Sequence, residues 1–382
     1  MKAFYRLYVI LLVTLFAGAG LFVLLKTPDE YSKNENRYLE KLPAVSWEGY
    51  TGGEFQQQMD KAVTDQFPMR DLLTGLSTGY RKLAGLHDVG DVYLGKDSYY
   101  FDKKLEKDIS LSQYEKNLMF IKRFSEGVAQ GKDLRLMLVP SPATVLSDKL
   151  PGLAKIYDEE PFVTKAKSMF GDGFIDVRAK LMQAAGEGGS GSGEAENLLY
   201  FRTDHHWTHR GAYLGYQAFE ESAGREPAAM ESFFYQKVSE DFYGTMYSRA
   251  LDRGAVPDVI EIPTVSDTVA VKSGEKEIPL YHMDKLEEKD QYAVYLGGND
   301  PVVTITNPSA SEDKTLLIIK DSFANSFMPL LTNTYKTIVM IDLRYETRPM
   351  KLVMDTYQPD EILVLYELSN FVASTEVARL SI

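Results

Sequence analysis

The chain has 382 residues, a formal net charge of −13 at pH 7 and no cysteine. Its length allows one large α/β domain or two smaller ones, each with a sizeable core. The lack of cysteine excludes disulfides, thiolate catalysis and cysteine-based zinc sites. The acidic balance, without a basic stripe, argues against a nucleic-acid role and favours a neutral or basic ligand over a strongly anionic one.

The N-terminal segment predicts a membrane anchor. Leu7 to Leu25 reads "LYVILLVTLFAGAGLFVLL", a charge-free run about as long as a helix needs to cross the hydrocarbon core. Lys2 and Arg6 precede it, so the short N-terminus is expected in the cytoplasm and the rest of the chain outside. The alternatives are a cleaved signal peptide, suggested by "AGAG", and a buried core helix. Apolar residues continue past "AGAG" and no polar face is visible, which favours a retained single-pass anchor in the cell membrane.

Three segments are expected along the chain. Residues 1–26 form the cytoplasmic tip and transmembrane anchor, residues 27–52 a polar stalk, and residues 53–382 one extracytoplasmic domain. Early in that domain, apolar residues at helical spacing stop at Pro68 and then resume, which predicts two helices separated by a kink or turn.

Two further features interrupt this domain. Residues 185–196, "AGEGGSGSGEAE", predict a glycine-rich loop, either a mobile flap over a site or a disordered surface insertion. Residues at about 257–284 alternate β-branched and polar side chains around "SGEK", which predicts a β-hairpin appended to the main sheet. "LRLMLVPSP", which starts at Leu134, predicts a strand ended by prolines.

The C-terminal third predicts an α/β fold with a parallel sheet flanked by helices. Strand-like "TLLIIK", "TIVMID" and "EILVLY" alternate with helical segments, as in βαβ crossovers. Ligands of such sheets bind at the carboxyl ends of the strands. The residues at those ends are therefore the first candidates for a functional site.

Ser322 is the candidate nucleophile. It follows "TLLIIKD" at a strand-to-helix turn, where its hydroxyl is presented at the sheet edge and its own backbone N–H faces the place of an oxyanion. The alternative role is helix capping, for which serine is a favoured residue. A serine nucleophile also needs a base and a group that orients the base.

The segment "TDHHWT" supplies both groups. Asp204 and His206 are two residues apart and would share one face of an extended segment, so that Asp204 orients the imidazole and His206 accepts the proton of Ser322. His205 would then point the opposite way, and Thr208 is expected to cap the next helix.

A metal site is the competing interpretation of the histidines. Asp204, His205 and His209 would offer nitrogen and oxygen ligands. Helical spacing does not apply to His205 if the helix begins near Thr208, and no second cluster completes a ligand shell. No metal is therefore predicted, and His205 and His209 are expected to face substrate or solvent.

The other strand ends offer weaker candidates. Asn299 in "YLGGNDP" follows the strand-like "YAVYL" and could donate a second bond to an oxyanion, although the same letters are typical of a tight turn. Arg344, Tyr345 and Tyr366 could contact a sugar or could be ordinary surface residues.

These segments resemble the DHHW family of Gram-positive bacteria, which is similar to the alginate O-acetyltransferases with SGNH-hydrolase-like domains. The matching pieces include "YFRTDHHWT", "FYGTMYS", "YLGGNDP", "LLIIKDSFANSFMPLL" and "IDLRY". The resemblance implies an SGNH-hydrolase-like fold and a catalytic triad of Ser322, His206 and Asp204, the same residues that the strand-end argument selects. Lys320 replaces the glycine that usually precedes Asp-Ser.

The sequence therefore predicts a membrane-anchored, extracytoplasmic O-acyltransferase that acetylates a cell-wall or secreted polysaccharide without a cofactor. A carbohydrate acetylesterase of the same fold and a non-enzymatic polysaccharide-binding envelope protein are the alternatives. By resemblance, the acetyl group would arrive through a separate membrane-bound O-acyltransferase. The expected partners are a polysaccharide, the membrane and that donor, with no nucleic acid.

Overall fold

The computed structural model describes residues 2–32, 34, 37–186 and 198–381. Most of the predicted glycine-rich loop, residues 187–196, lies outside the described residues. The chain divides into two compact units, residues 1–90 with 247–254 and residues 91–246 with 255–382. The predicted division into anchor, stalk and catalytic domain stays a prediction.

The first unit is mainly helical and contains the apolar N-terminal helix. Phe4–Leu25 is long and apolar enough to cross a membrane by length and composition. The two helices predicted on either side of Pro68 are confirmed. The elements of this unit up to residue 90 are α1 (Lys2–Leu25), β1 (Tyr31–Ser32), β2 (Arg37–Tyr38), α2 (Trp47–Gly52), α3 (Glu54–Asp65), α4 (Arg70–Leu83) and β3 (Asp88–Val89).

The elements that follow along the chain alternate between strands and helices. The strands are β4 (Val92–Leu94), β5 (Tyr100–Asp102), β6 (Asp133–Val139), β7 (Phe174–Ile175), β8 (Tyr235–Phe242), β9 (Asp258–Pro263), β10 (Ala270–Ser273), β11 (Lys276–Ile278), β12 (Val302–Thr306), β13 (Glu312–Lys320), β14 (Tyr335–Ile341) and β15 (Glu361–Glu367). The helices are α5 (Leu111–Glu126), α6 (Pro142–Val145), α7 (Glu160–Phe170), α8 (Val177–Ala184), α9 (His209–Ser222), α10 (Thr245–Ala250), α11 (Phe323–Phe327), α12 (Met350–Tyr357) and α13 (Leu368–Ala373).

A mostly parallel sheet forms the centre of the second unit and confirms the predicted α/β class. Within the described residues its strand order is β11-β10-β12-β14-β13-β15-β6-β7. The strands from β14 to β7 pair in parallel, whereas β12, β10 and β11 extend the β14 edge antiparallel. The carboxyl ends of β13, β14, β15 and β6 therefore lie on one edge of the sheet.

Alternate residues of the central strands pack on opposite faces of the sheet. On β13, for example, Leu316 and Ile318 join one buried apolar cluster with residues of α8, α9 and α11. Leu317 and Ile319 join a second cluster with residues of α5, α7 and α12. Burial on both faces explains why these strands are continuously apolar rather than alternating.

The predicted hairpin insertion is confirmed, but only its second half joins the main sheet. β10 and β11 pair around the turn at "SGEK", and β10 continues the sheet beside β12. The first half, β9, instead pairs with β8 in a separate two-stranded ribbon. The alternation of side chains predicted strands in this region. Which strands pair with one another depends on tertiary contacts.

Candidate active site

Ser322 lies at the predicted strand-to-helix turn, two residues after the end of β13 and just before α11. Its hydroxyl oxygen is 2.7 Å from Nε2 of His206. The hydroxyl makes no capping bond to α11, so the competing capping role does not apply. Asp321 holds this turn, because its carboxylate accepts bonds from the backbone N–H groups of Phe323 (3.0 Å) and Glu367 (3.0 Å). The turn is thereby tied to the end of the neighbouring strand β15.

Asp204 and His206 complete a continuous hydrogen-bonded chain. Oδ1 of Asp204 lies 2.6 Å from Nδ1 of His206 and also accepts the His206 backbone N–H at 3.0 Å. The sequence predicted an extended segment here. The structure instead has a loop, closed by a bridge between Tyr200 and Trp207. The predicted proximity of the two side chains therefore arises from a turn rather than from strand alternation.

The surrounding residues fix this loop. Asp258, which is fully buried, accepts the backbone N–H groups of Arg202 and Thr203 at 2.8 Å each. Trp207 donates its indole N–H to the Phe323 carbonyl at 3.0 Å and to the Ser326 hydroxyl at 3.0 Å. Trp207 thus connects the histidine loop to the helix that follows Ser322.

The helix after the loop begins as predicted. Thr208 caps α9 by accepting bonds from the backbone N–H groups of Arg210 and Gly211. The expected stripe of Ala212, Tyr216 and Phe219 is buried. The histidine loop is therefore held at one end by a packed helix.

Burial determines the protonation of the pair. Burial lowers the pKa of His206 to about 4, so the imidazole is neutral at pH 7. Burial by itself would raise the pKa of Asp204, but the neighbouring His205 and His206 imidazoles, the latter hydrogen-bonded to Oδ1, and the Thr245 backbone N–H, 2.8 Å from Oδ2, hold that pKa below its ordinary value. A neutral imidazole beside an ionised carboxylate is the state a general base requires.

Two residues around the pair carry no sequence signal that singled them out. Tyr292 stacks on the His206 ring, with centroids 3.7 Å apart and planes 9° apart, and donates its hydroxyl to the Ser322 carbonyl at 3.1 Å. The strand predicted around "YAVYL" is wrong, because Gln291–Val294 is a 3₁₀ helix. Gly244 packs so closely on Asp204 that an added Cβ would lie 2.3 Å from the Asp204 Cβ.

His205 lies beside His206 rather than pointing the opposite way. The two ring centroids are 4.0 Å apart, and the His205 side chain is 32% exposed. It lines a small cleft together with Tyr100, Lys104 and Glu367. Its position suits contact with a ligand in that cleft.

The remaining predicted residues have different surroundings from one another. His209 is buried against Tyr235, 4.6 Å between ring centroids, so the expectation that it faces substrate or solvent is wrong. Arg344 is held by the Asp342 carboxylate, with Nε 2.9 Å from Oδ1, while Tyr345 is half-exposed. Tyr366 is buried in the core.

Asn299 lies in a turn of unusual backbone, as its letters suggested. Leu296, Gly297 and Gly298 all have positive φ. The Asn299 side-chain oxygen accepts a bond from Lys320 at 2.6 Å. Its amide group is therefore connected to the end of β13, the strand that precedes Ser322.

Among the described residues, Asp204, His205 and His206 could also place ligand atoms within 4.8 Å of one another. In this arrangement both nitrogens of His206 already have partners, one in Asp204 and the other in Ser322. A cation bound through His206 would have to displace one of them. The geometry favours proton transfer over metal binding.

The fold is a mixed α/β domain with a mostly parallel central sheet, and sequence models of two related families match parts of it. Residues 192–341 match the sequence model of the DHHW protein family. Residues 92–255 match the model described as SGNH hydrolase-like domain, acetyltransferase AlgX. The predicted resemblance is confirmed, and it supports O-acetyl transfer as the general class of activity. Comparison with curated proteins finds no match in sequence.

Solved structures show the same fold at low identity. A DHHW family protein from Eubacterium siraeum is 19% identical, with a TM-score of 0.61 over 76% of this chain and 98% of that chain. Bacillus cereus PatB1, solved with a sulfonyl adduct, is 21% identical, with a TM-score of 0.60 over 76% of this chain and 99% of that chain.

Proposed function

We propose that the chain is a membrane-anchored, extracytoplasmic O-acetyltransferase that uses Ser322, His206 and Asp204 as a catalytic triad. The observation that carries this proposal is the hydrogen-bonded chain Asp204–His206–Ser322 at the carboxyl edge of a parallel sheet. The match to an acetyltransferase domain model supports the same class. The apolar helix α1 supports the anchor.

The reaction would proceed in two acyl-transfer steps. In the first, Ser322 Oγ attacks the acetyl carbonyl while His206 Nε2 takes the hydroxyl proton, and an acetyl-serine forms as the leaving group departs with that proton. In the second, His206 removes a proton from a polysaccharide hydroxyl, whose oxygen attacks the acetyl-serine, and the departing Ser322 oxygen takes that proton back from His206. Asp204 holds the imidazole in the tautomer with Nδ1 protonated.

The oxyanion would be stabilised by donors near the nucleophile. The hydrogen bonds of Ser322 within the described chain involve its hydroxyl and its carbonyl, which leaves its backbone N–H for a ligand. The Asn299 amide is the proposed second donor, since its oxygen is already engaged by Lys320. The cleft beside His205 would hold the polysaccharide acceptor.

The source of the acetyl group is also part of the proposal. A membrane-bound O-acyltransferase would deliver acetyl groups from the other side of the bilayer. An anchor in the same membrane would hold the Ser322 domain close to that donor and so raise the effective concentration of one protein at the other.

Reaction with phenylmethylsulfonyl fluoride tests the nucleophile. An activated serine displaces fluoride and becomes sulfonylated, so the full-length protein in detergent should gain one phenylmethylsulfonyl mass, located on Ser322 by peptide mapping. Ser322→Ala should lose the label, whereas Ser168→Ala, a change at an exposed serine of α7, should keep it. Labelling of other residues, or none at Ser322, would contradict the assignment.

Incubation with an aryl acetate then separates the candidate activities. Acetylated product in the presence of an oligosaccharide indicates a transferase. Release of acetate alone, unaffected by the sugar, indicates the alternative acetylesterase. Sugar binding without turnover, together with an unreactive Ser322, indicates a binding protein.

A further inference from the structure

Lys320 is a buried lysine two residues before the proposed nucleophile. It ends β13 and is 2% exposed. Lysine is rarely buried so completely, because its ammonium loses hydration that only close partners can replace. The site therefore requires an explanation beyond packing.

The ammonium bonds mainly to two side-chain amides. Nζ donates to Oδ1 of Asn299 at 2.6 Å and to Oδ1 of Asn325 at 2.8 Å. Its ion pair with Asp342 is longer, 3.9 Å, and both Asp342 oxygens are also bonded by Arg344. Lys320 thus acts on the amides, while Arg344 neutralises the nearby acid.

These contacts determine which end of the Asn299 amide is available. An ammonium group can only donate hydrogen bonds, so it requires the amide oxygen to face it. Asn325 Nδ2 donates to the same Asn299 oxygen at 3.2 Å and to the Gly298 carbonyl at 3.2 Å. The Asn299 oxygen is therefore held, and within the described part of the chain its two N–H donors make no hydrogen bond, so they remain for another partner.

We propose that Lys320 is a positioning residue that orients the Asn299 amide as a hydrogen-bond donor to the reaction's oxyanion. This inference rests on the proposed acyl transfer by Ser322. Without Lys320 the amide can rotate by half a turn and present its oxygen to the developing negative charge. Such a rotation replaces an attraction by a repulsion in the transition state, so it slows turnover while leaving substrate binding largely unchanged.

The charge of Lys320 also predicts a pH dependence. Burial lowers the pKa of Lys320 to about 8, although nearby carboxylates oppose the shift. The charged groups that act on it are Asp342, Asp321, Asp300 and Arg344. As pH rises above about 8, the neutral amine can also accept a hydrogen bond and no longer dictates the amide orientation. The turnover rate should therefore decline in that range.

A double-mutant cycle tests the proposal in the full-length protein, with an aryl acetate as substrate. Lys320→Met and Asn299→Ala should each lower kcat by about 10²–10³-fold with little change in KM. The double variant should be no slower than either single one, because both changes remove the same donor. Lys314→Met, the same substitution at the other end of β13, should keep the wild-type kcat.

Two results would overturn the inference. One is a double variant whose loss is the product of the single losses, which would mean that Lys320 acts independently of Asn299. The other is an Asn299→Ala variant with wild-type kcat. Retained turnover in Ser322→Ala would instead overturn the proposed function itself, so the two failures are distinguishable.

The pH profile provides a second test that does not require a stable Lys320 variant. Wild-type kcat should fall above about pH 8 as Lys320 loses its proton. Asn299→Ala, which has no amide to orient, should lack this decline. A decline of the same size and position in both proteins would refute the role of Lys320.

Discussion

Substitution of Gly244 by alanine should disable the site through one methyl group. The new Cβ would lie 2.3 Å from the Asp204 Cβ and 2.4 Å from its Oδ2, well inside normal contact. Asp204 would have to retreat by about 1 Å, and displacements of that size at a reacting constellation can cost about 10²-fold in rate. We therefore expect kcat of the Gly244→Ala variant to fall by about 10²-fold.

The assay compares full-length variants with an aryl acetate, together with thermal unfolding. Overpacking should also lower stability by about 1–3 kcal/mol, so rates are to be measured well below the unfolding temperature. Gly152→Ala is the matched control, because an added Cβ there meets nothing within 4 Å. A Gly244→Ala variant with wild-type kcat would refute the claim that this contact positions Asp204.

Three further outcomes are expected. Asp204→Asn should slow turnover by up to about 10⁴-fold, as in analogous triads, because the amide favours the wrong imidazole tautomer; circular dichroism should show an unchanged fold. Activity should be lost only as pH falls towards about 4, where His206 gains a proton, so an acid limb near its ordinary value of 6.5 in kcat/KM would contradict the lowered pKa. Trp207→Phe should reduce the free energy of unfolding by about 1–3 kcal/mol, measured by denaturant titration, because the Phe323 carbonyl and Ser326 hydroxyl lose a buried donor; an unchanged midpoint would contradict this.

Much of the fold was predictable because its strands are local and strongly patterned. The apolar runs at β13, β14 and β15 are buried on both faces, so their composition alone identifies them. The 3₁₀ segment Gln291–Val294 misled the prediction because it is also buried and aromatic, and a short apolar run does not distinguish a helical turn from a strand. The pairing of β9 with β8 was likewise invisible, since alternation does not name a partner.

The candidate site could be proposed from the sequence where one chemical role demanded a residue type. Ser322, His206 and Asp204 were selected by the need for a nucleophile, a base and an orienting acid. Tyr292 and Gly244 were not singled out, because stacking and close backbone approach do not show in a single sequence, although Gly244 lies in "FYGTMYS", one of the segments that carry the resemblance. The sequence showed Lys320 only as a departure from the usual glycine. It did not show that Lys320 contacts Asn299 and Asn325.

Local sequence patterns by themselves determined the apolar N-terminal helix and the alternation of strands and helices, and they selected the residues proposed for acyl transfer. Tertiary structure alone decided that Ser322 and His206, 116 positions apart, meet at 2.7 Å. It also decided that Lys320 contacts Asn299 rather than solvent. Periodicity and composition report how neighbouring residues are buried, whereas contacts between distant loops depend on how every strand of the sheet is ordered and packed.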